Sequence, residues 1–190
     1  MISDSVNNLK LSVEQINFIS LLHNNNFDKI NKTYSRKFIK YMIDNLVDIG
    51  LIDFDKNKMT DNVLPTMCTG FTNIYSTILS RYNLSITDIR LLSIIDKHPG
   101  LTGYRYHDLV FNENDNPSPS KIYTHIRYLK YLKLIDNNNM VIAGDNGMKL
   151  LLTHCDSVSK LYSDINEIYL TKLRAYIDYH KAWLYMEVKI

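Results

Sequence analysis

The feature that most constrains this chain is an imperfect internal repeat. Leu11-Ser-Val-Glu-Gln-Ile-Asn-Phe-Ile-Ser-Leu-Leu22 aligns without gaps on Leu84-Ser-Ile-Thr-Asp-Ile-Arg-Leu-Leu-Ser-Ile-Ile95, with apolar residues opposite apolar residues at nearly every position. Such a duplication means one supersecondary unit used twice, so the two copies must share a backbone plan. Ser12 followed by Gln15, and Ser85 followed by Asp88, have the N-cap and N3 spacing of a capping box, and apolar residues recur after them at helical intervals. Further along, Ile39, Ile43, Leu46, Ile49 and Leu51-Ile52-Asp53 match Ile122, Ile126, Leu129, Leu132 and Leu134-Ile135-Asp136. The offset has grown by then, because residues 111–119, with their Asn, Asp and Pro, insert a loop into the second copy.

Each copy therefore reads as a helix, an irregular middle segment, a second amphipathic helix and a short hairpin, which is the order of a winged helix-turn-helix. The first hairpin is expected over residues 51–54 and 59–60 with its turn at 55–58. The second is expected over residues 134–136 and 140–142 around Asn137-Asn138-Asn139. Runs of Asn like this one accompany heavy use of Lys, Ile and Tyr, the codon bias of an AT-rich viral, plasmid or low-GC bacterial gene, and are read as turn filler. Residues 61–66 carry Pro65 and no periodicity, so the domain boundary is placed there. The expected fold is mainly α with small β-hairpins: tandem winged helix-turn-helix domains over residues 1–62 and 67–190, plus a long C-terminal dimerisation helix. Helices at 70–82 and 157–188 flank the second domain. The latter carries Val158, Leu161, Tyr162, Ile165, Ile168, Tyr169, Leu173, Tyr176, Ile177 and Leu184, an apolar stripe longer than one small domain covers. A second copy of the chain is the expected cover; the alternative is a helix folded back on its own domains.

Charge coincides with the repeat. Between residues 29 and 43 stand Lys29, Lys32, Arg36, Lys37 and Lys40 with no acid; between 118 and 133 stand Lys121, Arg127, Lys130 and Lys133 with no acid. The chain has 22 Lys and Arg against 20 Asp and Glu, so removing these nine leaves 13 bases against 20 acids, a remainder of −7. Both concentrations fall on the second helix of the motif, the one that enters the major groove, which points to nucleic acid rather than to a solvated face.

With Ile122, Ile126, Leu129 and Leu132 inward, helical geometry turns Ser120, Thr124, Arg127, Tyr128 and Tyr131 outward, with Lys121, Tyr123 and Lys130 on the flanks. Arg127 suits a guanine edge or a phosphate; Ser120, Thr124 and Tyr128 can donate to phosphates or base edges; Lys121 and Lys130 suit the backbone. His125 falls on the inward side as a half-buried structural residue. In the first copy Ile39, Ile43 and Leu46 point inward, and Lys37, Tyr41, Asp44 and Asn45 outward, with Arg36 and Lys40 beside them. Asp44 and Asp48 would repel phosphate, which implies a shallower contact than the second copy makes.

The run from Tyr82 to Thr102, with its His98-Pro-Gly-Leu-Thr102 turn, and the run from Ser118-Pro-Ser120 to Ile135 resemble the MarR family of winged-helix transcription regulators. The resemblance covers residues 67–190 and leaves the N-terminal winged helix outside it. It implies a homodimer interlocked through the helices at 70–82 and 157–188. It also implies groove and phosphate contacts from Ser118, Ser120, Lys121 and Thr124, and a helix capped by Thr102 that carries Tyr104 and Arg105 near the DNA backbone. Two departures stand out. The wing lacks the arginine with which the family reaches the minor groove, and residues 112–117 are inserted before the recognition helix.

Other classes are disfavoured. The six histidines show no helical metal-site spacing, no Cys-x-x-Cys is present, and the six glycines form no phosphate loop, so neither an enzyme nor a cofactor or metal is expected. Cys68 and Cys155 are expected to be reduced thiols; His154 beside Cys155 leaves open a reactive thiolate. The absence of a long apolar window or a signal-like start predicts a cytoplasmic protein without a membrane span. The expected function is sequence-specific binding of double-stranded DNA as a homodimeric transcription regulator. The site is Ser118, Ser120, Lys121, Thr124, Arg127, Tyr128, Lys130 and Arg105 in the second copy, and Arg36, Lys37, Lys40 and Tyr41 in the first. The alternatives are a protein-interaction module that binds a host regulator or polymerase, and a non-nicking replication initiator. A small-molecule effector follows from the resemblance alone.

Overall fold

A computed structural model describes residues 11–53, 58–59, 63–111 and 118–187, with the side chains of the last helix described through Tyr179. It is mainly helical. In chain order the elements are α1 (Val13–His23), α2 (Phe27–Thr33), α3 (Arg36–Asp48), β1 (Ile52–Asp53), β2 (Lys58–Met59), α4 (Val63–Tyr82), α5 (Ile86–Lys97), α6 (Gly103–Val110), α7 (Pro119–Tyr131) and α8 (Asn146–Glu187). The chain divides into two compact units, one from the described parts of Met1–Thr72 and Ser163–Ile190, the other from those of Asn73–Tyr162.

In the first unit, Ser12 closes the expected capping box on α1: its hydroxyl accepts from Gln15 N (3.1 Å) and Gln15 Oε1 accepts from Ser12 N (2.7 Å). The box satisfies two amides that the first helical turn cannot pair. Ile16, Phe18 and Ile19 of α1, Ile30 of α2, Met42 and Leu46 of α3, and Leu64, Cys68 and Phe71 of α4 form the core, with Ile165, Tyr169 and Leu173 from α8. Asn166, itself buried, accepts from Leu11 N at 2.6 Å, and Ser20 bonds Thr72 at 3.0 Å, so the polar groups in this core are paired. β1 and β2 pair antiparallel, Ile52 opposite Met59 and Asp53 opposite Lys58, which puts Lys58 in the strand rather than the turn. The expected turn at 55–57, Phe54 and Thr60 lie outside the described residues.

The second unit repeats the plan. Ser85 and Asp88 close the capping box of α5, and α5, α6 and α7 pack on one another around Ile89, Leu92, Ile95, Tyr106, Val110, Ile122, Ile126 and Leu129. The hairpin after α7 is reduced to a bridge between Ile135 and Val141, extended by Ile142 N to Leu134 O (3.1 Å) and Asp136 N to Met140 O (2.8 Å). The insertion at 112–117 lies outside the described residues.

Helices α3 and α7 end identically. Leu51 N reaches Leu46 O (2.8 Å) and Gly50 N reaches Val47 O (2.8 Å); Leu134 N reaches Leu129 O (3.0 Å) and Lys133 N reaches Lys130 O (2.9 Å). The linking residue is left-handed in each, Gly50 at φ +71° and Lys133 at φ +56°. A left-handed residue followed by a hydrophobic one is the Schellman ending, and glycine takes it without strain where lysine does not.

Two helices start earlier than their periodicity suggested. α4 begins at Val63 rather than residue 70. Pro65 falls in its first turn, where a missing amide proton costs no helical bond, so the proline opens the helix and does not mark a linker. α8 begins at Asn146 rather than residue 157, because the Asp145 carboxylate accepts from Gly147 N (2.9 Å) and caps a segment that reads as a turn. The expected stripe on α8 is in part already covered. Val158, Ile165, Tyr169 and Leu173 are buried within the single chain, whereas Leu161, Tyr162, Ile168, Tyr176 and Ile177 are half-exposed; the side chain of Leu184 is not described. Among the described residues no helix is long and apolar enough to cross a membrane.

Candidate nucleic-acid interface

α7 is placed by three kinds of contact. Ser118 is its N-cap, accepting from Ser120 N, and Pro119 occupies the first turn. Ile122, Ile126 and Leu129 are buried. His125, half-buried as expected, meets Asp88 of α5, Nδ1 to Oδ1, at 2.7 Å. Asp88 is 5% exposed yet also accepts from Ser85 N and Ser85 Oγ. Burial alone pushes this carboxyl up, but the hydrogen bonds from His125 and Ser85 outweigh it and hold Asp88 below the usual carboxylate range. One carboxylate thus ties the start of α5 to the middle of α7.

What remains outward is Ser120, Lys121, Tyr123, Thr124, Arg127 and Tyr131, all exposed. The side chains of Lys121, Thr124 and Arg127 have no hydrogen-bond or ion-pair partner among the described residues, and Ser118 and Ser120 hydroxyls bond each other at 2.7 Å. Arg105, on α6, is exposed in the same unit. Two expected contacts are differently employed. Tyr128 is half-buried and donates its hydroxyl to Asn83 O (3.2 Å); a phosphate only accepts, so this proton is already committed. Lys130, also half-buried, donates to Asn137 O (3.0 Å), joining α7 to the hairpin turn and leaving its other two protons free.

The hairpin turn is tied to the loop between α5 and α6. Asp136 Oδ1 accepts from Asn138 N and Met140 N, both at 2.9 Å, an Asx turn. Asn139, left-handed at φ +58°, accepts from Gly100 N (3.1 Å) on its carbonyl and donates its amide to Leu101 O (2.9 Å). Tyr106 completes the latch, donating to His98 O (2.8 Å) and accepting from Leu101 N (3.1 Å). Asn139 is therefore a structural lock rather than filler. The usable signal was the capacity of Asn for a left-handed turn.

In the first unit, Ser35 caps α3 by accepting from Phe38 N (3.3 Å). The inward stripe centres on Met42 and Leu46, with Ile39 and Ile43 half-exposed on its sides, a rotation of the expected face. Arg36, Lys37, Lys40 and Tyr41 are exposed, as are Asp44 and Asp48. Asn45 is half-buried, its amide on Tyr41 O (2.6 Å). Tyr34 stacks on Phe38, centroids 5.1 Å apart, and meets Phe18 edge-on at 5.7 Å, stiffening the turn that presents these cations.

The cysteines are not poised for chemistry. Cys68 and Cys155 are buried, which pushes each thiol up to about 12, with Asp156 adding to the effect at Cys155; the His154-Cys155 pair therefore makes no thiolate. Asp156 is instead engaged by Lys97 (2.6 Å) and Ser93, bonds that outweigh the effect of burial and lower its carboxyl. Among the described residues no group of His, Cys, Asp and Glu is placed to hold a metal ion. No family model, curated protein or solved structure matches the chain.

Proposed function

We propose that this protein binds double-stranded DNA through two winged helix-turn-helix units and regulates transcription by occupying its site. The observation that carries the reading is the outward face of α7. Lys121, Thr124 and Arg127 are exposed and uncommitted, no acid lies between residues 118 and 133, and the opposite face of the helix is anchored by a buried stripe and the His125–Asp88 hydrogen bond. That is what a helix needs to enter the major groove: a rigid seat and donors without competing carboxylates. α7 carries groove contacts through Arg127, Thr124 and Ser120; Lys121, Lys130 and Arg105 hold phosphates; Arg36, Lys37, Lys40 and Tyr41 add contacts from the start of α3. The resemblance to MarR regulators belongs to this proposal, as does the homodimer, for which the half-exposed Leu161, Tyr162, Ile168, Tyr176 and Ile177 of α8 are the surface available to a second copy.

The test is anisotropy of fluorescent duplexes tiling the region upstream of the gene, with a scrambled control, at several salt concentrations. Specific binding with a steep salt slope is expected. Absence of binding at low salt overturns the proposal. A second reading, an interaction module for another protein, is favoured by one feature: the second hairpin has no cation between Asp136 and Gly144 and exposes Met140 and Ile142. On that reading, replacing Lys121 and Arg127 by Ala leaves activity intact.

A further inference from the structure

Resting on the DNA reading, we propose that Tyr123 is a further DNA-contacting residue, donating its phenolic hydroxyl to a backbone phosphate at the wall of the groove that α7 enters. Tyr123 lies about 100° round the helix from outward-facing Thr124, on the flank next to α6. Its ring is seated over Gly103, the first residue of α6: a Cβ at that position would overlap the ring, so glycine makes the seat. The ring is thereby placed before any ligand arrives, and little conformational freedom is left to lose on binding.

Despite this seat the side chain stays 44% exposed, and its hydroxyl has no hydrogen-bond partner among the described residues. A buried tyrosine normally has its hydroxyl paired, as Tyr106 does with His98 and Leu101 in the same unit, whereas the Tyr123 hydroxyl is open to an incoming acceptor. The surroundings select the ligand. Lys130, seven residues on, lies on the same flank of α7 with two protons uncommitted, and the one acid of α6, Asp108, faces His107 at 3.5 Å. A flank with a hydroxyl donor, a cation and no acid on its own helix suits a phosphodiester, and the flank of a groove-bound helix meets the sugar-phosphate wall rather than base edges. In the first copy the corresponding position holds exposed Lys40, another phosphate donor.

The variant Tyr123→Phe keeps the ring and its seat and removes only the hydroxyl. On the specific duplex its Kd should be about three- to tenfold weaker. The salt slope and the thermal midpoint should not change, because neither charge nor packing is lost. A methylphosphonate scan should find a position whose neutralisation costs the wild type more than Tyr123→Phe. If the wild type binds and Tyr123→Phe binds equally well, the contact is overturned while the DNA reading stands. A lowered thermal midpoint accompanying the weaker binding assigns Tyr123 to packing and also overturns it. A wild type that binds no duplex at low salt overturns both.

Discussion

Shifted by 83 residues, α3 and α7 end in the same hydrogen bonds, yet Arg127 stands where the first copy has Asp44, and Tyr131 where it has Asp48. Inside, His125 replaces Met42, and in the box that caps the preceding helix Asp88 replaces Gln15. The first copy closes its interior with a thioether and a neutral amide. The second closes it with a hydrogen bond 2.7 Å long between a half-buried imidazole and a buried carboxylate. Backbone plan and outward chemistry are thus set by different residues: caps and apolar stripes hold the plan, and the outward face is free to diverge. On the proposed DNA reading, the divergence makes the second copy the groove reader and leaves the first as a helper whose cations stop where its aspartates begin.

Experiments can sharpen this contrast. The largest effect is expected from Lys121→Ala with Arg127→Ala, which should weaken specific binding by about a hundredfold and make the log–log salt slope shallower by about 1, the share of the phosphate-bound Lys121. Lys37→Ala with Lys40→Ala should cost less than about tenfold, and equal losses would erase the distinction between copies. Next is the Asp88–His125 hydrogen bond. Asp88→Ala should lower unfolding free energy by about 2 kcal/mol in a denaturant titration, against about 1 kcal/mol or less for Gln15→Ala, since only the former also unpairs a side chain on another helix.

Acid should separate the copies too. Because the folded Asp88 carboxyl lies below its unfolded value, its contribution is complete above about pH 4 and fades as pH falls through the folded value. Denaturant midpoints measured down that window should drop less steeply in Asp88→Asn; an unchanged profile would remove Asp88 from the account. The smallest effect concerns the shared helix ending. Gly50→Ala should destabilise by about 1 kcal/mol and Lys133→Gly should stabilise by about 0.5–1 kcal/mol, because both positions are left-handed. Opposite signs in thermal midpoint are the check.

Much of the fold was legible because local signals carried it. Ser12, Ser85, Ser35 and Ser118 all cap helices, and both hairpins fall where the short apolar pairs lie. Helix starts were less legible: Pro65 reads as a break and the apolar periodicity of the last helix sets in only at 157, whereas Pro65 lies in the first turn of α4 and Asp145 caps α8 from residue 146. In the site, periodicity gave most of the faces of α7, with outward-read Tyr128 and inward-read Leu132 both half-buried, but was blind to partners distant in sequence. Nothing local to Tyr128 announces Asn83 O, nothing in Asn137-Asn138-Asn139 announces Leu101 O, and Tyr123 gains its seat from Gly103, twenty residues earlier. On α3 the stripe was read one position off, since Met42 is equally apolar and competes with Ile43 for the interior.

The central claim is that α7 reads DNA and α3 does not read it in the same way. A reciprocal exchange on the specific duplex tests it most directly: Arg127→Asp, which installs the residue of the first copy in the second, and Asp44→Arg, which does the reverse, followed by anisotropy at fixed salt. The account predicts that Arg127→Asp abolishes specific binding and that Asp44→Arg strengthens binding. Wild-type affinity in Arg127→Asp would contradict it.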